Sequence, residues 1–60
     1  MIKVFRVYKY KGLSVYINGI GKSEKTGNRL VIWRDIRGKE GESFSITPES
    51  EFEKEAKLIE

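Results

Sequence analysis

The 60-residue chain contains neither cysteine nor histidine. Without thiols it cannot be held by disulfides, and without thiols or imidazoles the usual donor sets for zinc are missing. The same absences exclude nucleophile pairs of the Ser–His and Cys–His types. Proline occurs once, at Pro48. The longest uninterrupted apolar run, Leu30-Val31-Ile32-Trp33, is far shorter than the roughly 20 residues of a membrane-spanning helix. The first residues alternate charged and apolar types instead of forming the apolar stretch of a secretory leader. The expectation is therefore a soluble, cytoplasmic, non-catalytic protein with no cofactor, no metal site and no membrane partner.

Sixty residues suffice for one domain. A chain of that length buries only about 60% of the surface its unfolded form exposes, and small domains usually add disulfides, a metal or self-association. Here a well-packed sheet, a homodimer surface, or both must serve. Charge is distributed unevenly. Residues 1–41 carry ten basic side chains against Glu24, Asp35 and Glu40, whereas residues 42–60 carry Lys54 and Lys57 against six glutamates, which together give the net +3. A basic body points to an anionic partner, or to a solubilising surface.

Residues 2–10 are rich in β-branched and aromatic types, which favours a strand. Lys11-Gly12 punctuates, and residues 13–18 alternate, so a hairpin is predicted. Residues 18–28 hold three glycines and several small polar residues and read mostly as loop. Residues 29–36 read as the best-buried strand and residues 42–46 as a fourth, after a turn at Arg37–Gly41. A helix over 48–58 follows, with Thr47 as its cap and Pro48 at its first position. Glu53 and Lys57 stand four apart on it, at the spacing of a favourable pair. The fold class is α+β: a small antiparallel β-meander of about four strands with one C-terminal helix, the sheet either open or curled into an SH3-like barrel.

A two-residue turn at Lys11-Gly12 would pair Tyr10 with Leu13, Tyr8 with Val15 and Arg6 with Ile17. One face would then hold Val4, Tyr8, Tyr10, Leu13, Val15 and Ile17, joined by Leu30, Ile32, Ile36, Phe44 and Ile46. Phe52, Ala56 and Ile59 would cover them. The opposite face would carry Phe5, Val7, Tyr16, Val31 and Trp33 among Lys3, Lys9, Arg29, Ser14, Ser43 and Ser45. Such a face is more aromatic than the polar outside of a sheet covered by one helix. Barrel closure, a dimer contact or a ligand platform would each account for it.

Gly19-Ile20-Gly21-Lys22-Ser23 resembles the end of a phosphate-binding loop. The full pattern needs a glycine where Tyr16 stands, and a long helix in a parallel sheet; nucleotide hydrolysis is excluded. The glutamates of the helix alternate around it and read as a solvated face. What is left is basic residues interleaved with aromatics on a sheet: Lys9, Lys11, Tyr16, Arg29, Val31, Trp33, Arg34, Arg37 and Lys39. Cations neutralise phosphates while rings stack on bases or wedge between them. These are the candidate contacts for DNA or RNA. A protein partner or a homodimer using the same face is the competing reading, and pairing through an exposed edge strand is a third.

Tyr10-Lys11-Gly12 after a basic strand, Leu30–Trp33, the Gly38-Lys39-Glu40-Gly41 turn and the capped C-terminal helix resemble in layout the small basic chromatin proteins of Sulfolobus. The layout is also similar to the arm-binding domains of tyrosine integrases. The first resemblance implies an SH3-like barrel with a helix that binds the DNA minor groove through a three-stranded sheet, with Arg29, Val31 and Trp33 meeting the DNA.

Overall fold

Lys11 and Gly12 both adopt positive φ, 49° and 79°. Two successive left-handed residues match the twist of the strands they join, and glycine takes the second without a steric cost. This turn links β1 (Val7–Tyr10) to β2 (Leu13–Lys22) in the expected register, Tyr10 opposite Leu13 and Tyr8 opposite Val15. A computed structural model describes residues 2–37 and 44–59. Its remaining elements are β3 (Arg29–Asp35), β4 (Ser45–Pro48), α1 (Glu49–Glu55) and β5 (Lys57–Leu58).

All pairings are antiparallel and the strand order is β4-β3-β2-β1-β5. The α+β meander is thus present, with five strands. β4 and β5 form its two edges, so the sheet is not closed into a barrel. α1 carries the chain across one face from the first edge to the second. That side is the inner face.

β2 is longer than expected, because the glycine-rich stretch through Lys22 remains paired to β3. The pairing holds Ile17 opposite Trp33 and Ile20 opposite Val31, with the register shifting between Ile17 and Gly19. The extra residue is Asn18. Three positions separate Ile17 from Ile20, which would place them on opposite faces of a regular strand. The bulge brings both inward. A second irregularity meets Ile17 from the segment before β1, where Phe5 N–H donates to Ile17 O while Ile17 N–H donates to Arg6 O. Phe5 there has a φ of 60°.

The core consists of Ile2, Tyr8, Tyr10, Val15, Ile17, Val31 and Phe52, with Leu13, Ile20, Trp33 and Ala56 packed against it. Phe52 is the helix's contribution. Its ring stacks on Tyr10 with centroids 4.4 Å apart and meets Tyr8 edge-on at 5.9 Å. Each fully buried side chain of this size contributes about 1.5–3 kcal/mol.

Several expectations are corrected. Val31 and Trp33 belong to the inner face, and Leu30, Ile32, Ile36 and Ile46 to the outer one. The run Leu30–Trp33 is apolar throughout, so its pattern does not fix which set points inward; the pairing of Trp33 with Ile17 does. Ile36, Phe44, Ile46 and Ile59 are exposed, as is Val4. The helix is shorter than 48–58, because Ala56 is extended (ψ 143°) and Lys57–Leu58 leave to pair with β1. Pro48 is itself the N-cap residue and no side chain caps the helix. Thr47 is engaged elsewhere: its hydroxyl accepts from the Trp33 indole N–H at 3.0 Å.

Candidate nucleic-acid interface

The outer face is built from alternate residues of all five strands. Lys57, Lys9, Ser14 and Ile36 cross it in one row, set by Lys9 opposite both Lys57 and Ser14 and by Ile36 N–H donating to Ser14 O. The next row is Ile59, Val7, Tyr16 and Arg34. Beyond the bulge come Gly19, Ile32 and Ile46, then Gly21, Leu30 and Pro48. Cations are therefore confined to the first two rows, interspersed there with Ile36, Val7 and Ile59.

Tyr16 and Arg34 are directly opposite each other on neighbouring strands. The guanidinium carbon lies 5.3 Å from the centroid of the phenol ring, within cation–π range. The guanidinium thus lies over one face of the ring and adds a positive charge to it. Lys9 and Lys57, both exposed, flank it one row away, about 7 Å along the strand. Neither lysine joins a salt bridge among the described residues.

The remaining candidates are dispersed. Arg29 is on the inner side, where its Nε donates to Glu49 Oε1 at 2.9 Å. Lys11, in the hairpin turn, has its Nζ 3.8 Å from Glu55 Oε2 and 5.5 Å from the Tyr10 ring centroid. The Arg29–Glu49 pair links the start of α1 to the sheet, and the exposed Lys11–Glu55 contact lies near its end. Val31 is fully buried and out of reach of any ligand. Trp33 is half-buried against Tyr10, at 5.4 Å, and Phe52, at 6.4 Å. Arg37 follows β3, and Lys39 lies outside the described residues. Of the nine candidates, Lys9, Tyr16 and Arg34 come together on the outer face.

Arg37 is occupied by Asp35. Its backbone N–H donates to Asp35 Oδ1 at 2.9 Å and its guanidinium Nε is 3.5 Å from the same oxygen. The backbone hydrogen bond, with the side-chain bond and charge of Arg37, holds the Asp35 carboxyl below the ordinary aspartate range. The Lys22–Arg29 connection closes on itself: Ser23 N–H donates to Asn28 O, Gly27 N–H to Ser23 O, and Thr26 N–H to Ser23 Oγ. Its residues form a structured hairpin end rather than a ring of inward-turned amides. Among the described residues no group of three or more acidic side chains converges on a possible metal position, and no helix is long and apolar enough to cross a membrane.

Sequence reasoning missed Lys57, which it placed on the helix, and the outward-facing Leu30, Ile32 and Ile46. A β-branched residue at Ile59 was the one local signal that the chain leaves the helix early. The acidic side chains Glu49, Glu51, Glu53 and Glu55 are all on α1, across the sheet from Lys9, Lys57 and Arg34. Two of these glutamates, Glu49 and Glu55, are paired there with Arg29 and Lys11. No family model, curated protein or solved structure matches this chain, so the reading of its outer face rests on the geometry alone.

Proposed function

We propose that this chain is a non-catalytic nucleic-acid-binding module that presents the outer face of its sheet to DNA or RNA. The observation that carries the reading is the convergence of Lys9, Lys57 and Arg34 around Tyr16 on the face opposite α1, while the glutamates of the helix lie on the other side. Cations release counterions from phosphates, and an aromatic ring offers a base a stacking partner. A cytoplasmic setting, where chains without disulfides are common, belongs to the same proposal.

The test is fluorescence anisotropy of labelled oligonucleotides between about 50 and 200 mM salt. With three cations engaged, log affinity should fall against log salt with a slope of about −2 to −3. Absence of binding at the lowest salt overturns the reading.

A protein-interaction module, as homodimer or as small regulator, is the second reading. It is favoured by the exposure of Ile36, Phe44, Ile46 and Ile59, because exposed apolar surface commonly marks a contact site. Sedimentation separates the two: self-association through this face would be concentration-dependent and nearly indifferent to salt.

A further inference from the structure

We propose that the outer face takes an unpaired strand in preference to a duplex, with bases laid flat on the Tyr16–Arg34 surface and the neighbouring aliphatic floor while phosphates meet Lys9 and Lys57. This inference rests on the nucleic-acid reading above and specifies its ligand.

The first argument is where the cations are. Lys9, Lys57 and Arg34 occupy two adjacent rows at one end of the face; Tyr16 and Val7 share the second of these rows, and Ile32 and Leu30 continue the apolar surface beyond it. A duplex shows phosphates and base edges; its base planes are hidden in the stack. Set against this face, it would leave the apolar surface facing charged or hydrated groove. An unpaired strand exposes the planes, which cover apolar surface, and one line of phosphates, which the two lysines and Arg34 can border.

The second argument is relief. Leu30 and Ile32 are half-buried, and Gly19 and Gly21 keep the surface beside them at the level of the backbone. Neither glycine has positive φ. A Cβ at Gly19 would meet nothing within 4 Å, and at Gly21 only the tip of Ile32 at 3.9 Å. The middle of the face is thus level or recessed, a shape suited to flat rings. A groove-binding sheet needs the reverse, a side chain projecting between base steps. Among the described residues the most exposed aliphatic side chain on this face is Ile46, and it stands on the edge strand.

The Tyr16–Arg34 pair supplies the chemistry. With the guanidinium over one face of the phenol ring, a base of any identity can stack on the open side of the pair, next to a fixed positive charge. Binding should therefore tolerate sequence changes.

The experiment uses a labelled 12-nucleotide single strand of mixed sequence and the same sequence as duplex, with wild type, Tyr16→Leu, Gly19→Val, Ile46→Ala and Lys9→Gln. Circular dichroism melts confirm the fold of each variant; Gly19→Val adds a side chain that suits a strand and has room. The single strand is expected to bind about 10-fold more tightly than the duplex. Tyr16→Leu should weaken single-strand binding about 10-fold, Gly19→Val should weaken it by raising the floor, and Lys9→Gln should weaken both ligands. Tighter duplex binding that Ile46→Ala abolishes would overturn the inference and leave the nucleic-acid reading standing, with Ile46 as a wedge. Equal single-strand affinity for wild type, Tyr16→Leu and Gly19→Val would also overturn it. Failure of both ligands to bind at low salt removes the broader reading as well.

Discussion

The indole N–H of Trp33 donates to the hydroxyl of Thr47 at 3.0 Å, joining β3 to β4 through side chains as well as backbone. The bond sits in a part-buried position one residue before Pro48, where the chain leaves β4 and enters α1. Thr47→Val keeps the shape of the side chain and removes the acceptor. Leaving the donor unsatisfied should cost about 1–2 kcal/mol in urea unfolding. Thr47→Ser, which retains the hydroxyl, should lose clearly less. Equal losses would show that the methyl group, not the hydrogen bond, is what matters.

Phe52 touches three other rings and is fully buried. Truncation to alanine should cost about 3–5 kcal/mol. At about 0.05–0.15 kcal/mol per residue, a chain of this length has only about 3–9 kcal/mol in total. Phe52→Ala is therefore expected to be largely unfolded at 25 °C by circular dichroism. A cooperative melt close to that of the wild type would mean that α1 contributes little to the core.

Phe5 has a left-handed backbone and a side chain two-thirds exposed, at 67%. A non-glycine residue pays about 1–2 kcal/mol for that conformation, and little burial offsets it here. Phe5→Gly relieves the strain at the expense of greater freedom in the unfolded chain. The net expectation is a gain of about 0.5–1 kcal/mol, read as a higher denaturation midpoint with an unchanged slope. A loss of stability would place the Phe5 ring in a contact that matters more than its backbone.

Arg34 and Arg29 carry equal charge in different surroundings, one beside Tyr16 on the outer face and one bound to Glu49 on the inner side. Arg34→Gln should reduce the salt slope of oligonucleotide binding by about one unit. Arg29→Gln should leave that slope unchanged while loosening the start of α1. The opposite pattern would move the interface to the helix side.

The folded-state pKa of Asp35 is lowered by its bonds to Arg37. A depressed carboxylate contributes stability that is fully present above the ordinary aspartate value of 3.8 and is lost as pH falls through the lower folded value. NMR titration of Asp35 should show a midpoint below 3.8, and Asp35→Asn should remove that part of the acid dependence. An unshifted midpoint would mean the Arg37 turn is not formed in solution.

The first hairpin could be read from the sequence because Lys11-Gly12 fits a turn whose two-residue length fixes the register of β1 and β2. The facing of β3 could not. Four consecutive apolar residues give no alternation, and the bulge at Asn18 changes parity in the middle of β2, so every partner beyond it is displaced by one. The facing of Val31 and Trp33 follows from the pairing of Trp33 with Ile17, just before the bulge, which puts both in the core. β5 was hidden for another reason: Ala56-Lys57-Leu58 fits a continuing helix as well as a strand, and its pairing is decided by Tyr8 and Lys9, far away in sequence. Lys9, Tyr16 and Arg34 were legible as basic and aromatic residues on strands, whereas their assembly with Lys57 depended on that distant pairing.

Tyr8 has one partner seven positions ahead, Val15, and another fifty positions ahead, Leu58. Closing the longer loop from an unstructured chain costs about 1.7 kcal/mol more than closing the shorter one. The two hairpins of β1–β2 and β2–β3 should thus organise the transition state for folding, with β5 docking after the barrier. Substitutions in the Lys11-Gly12 turn would then slow folding, and substitutions at Leu58 would chiefly speed unfolding. The lifetime of the native state, rather than the speed of reaching it, would be set by the two short residues of β5 along the flank of β1.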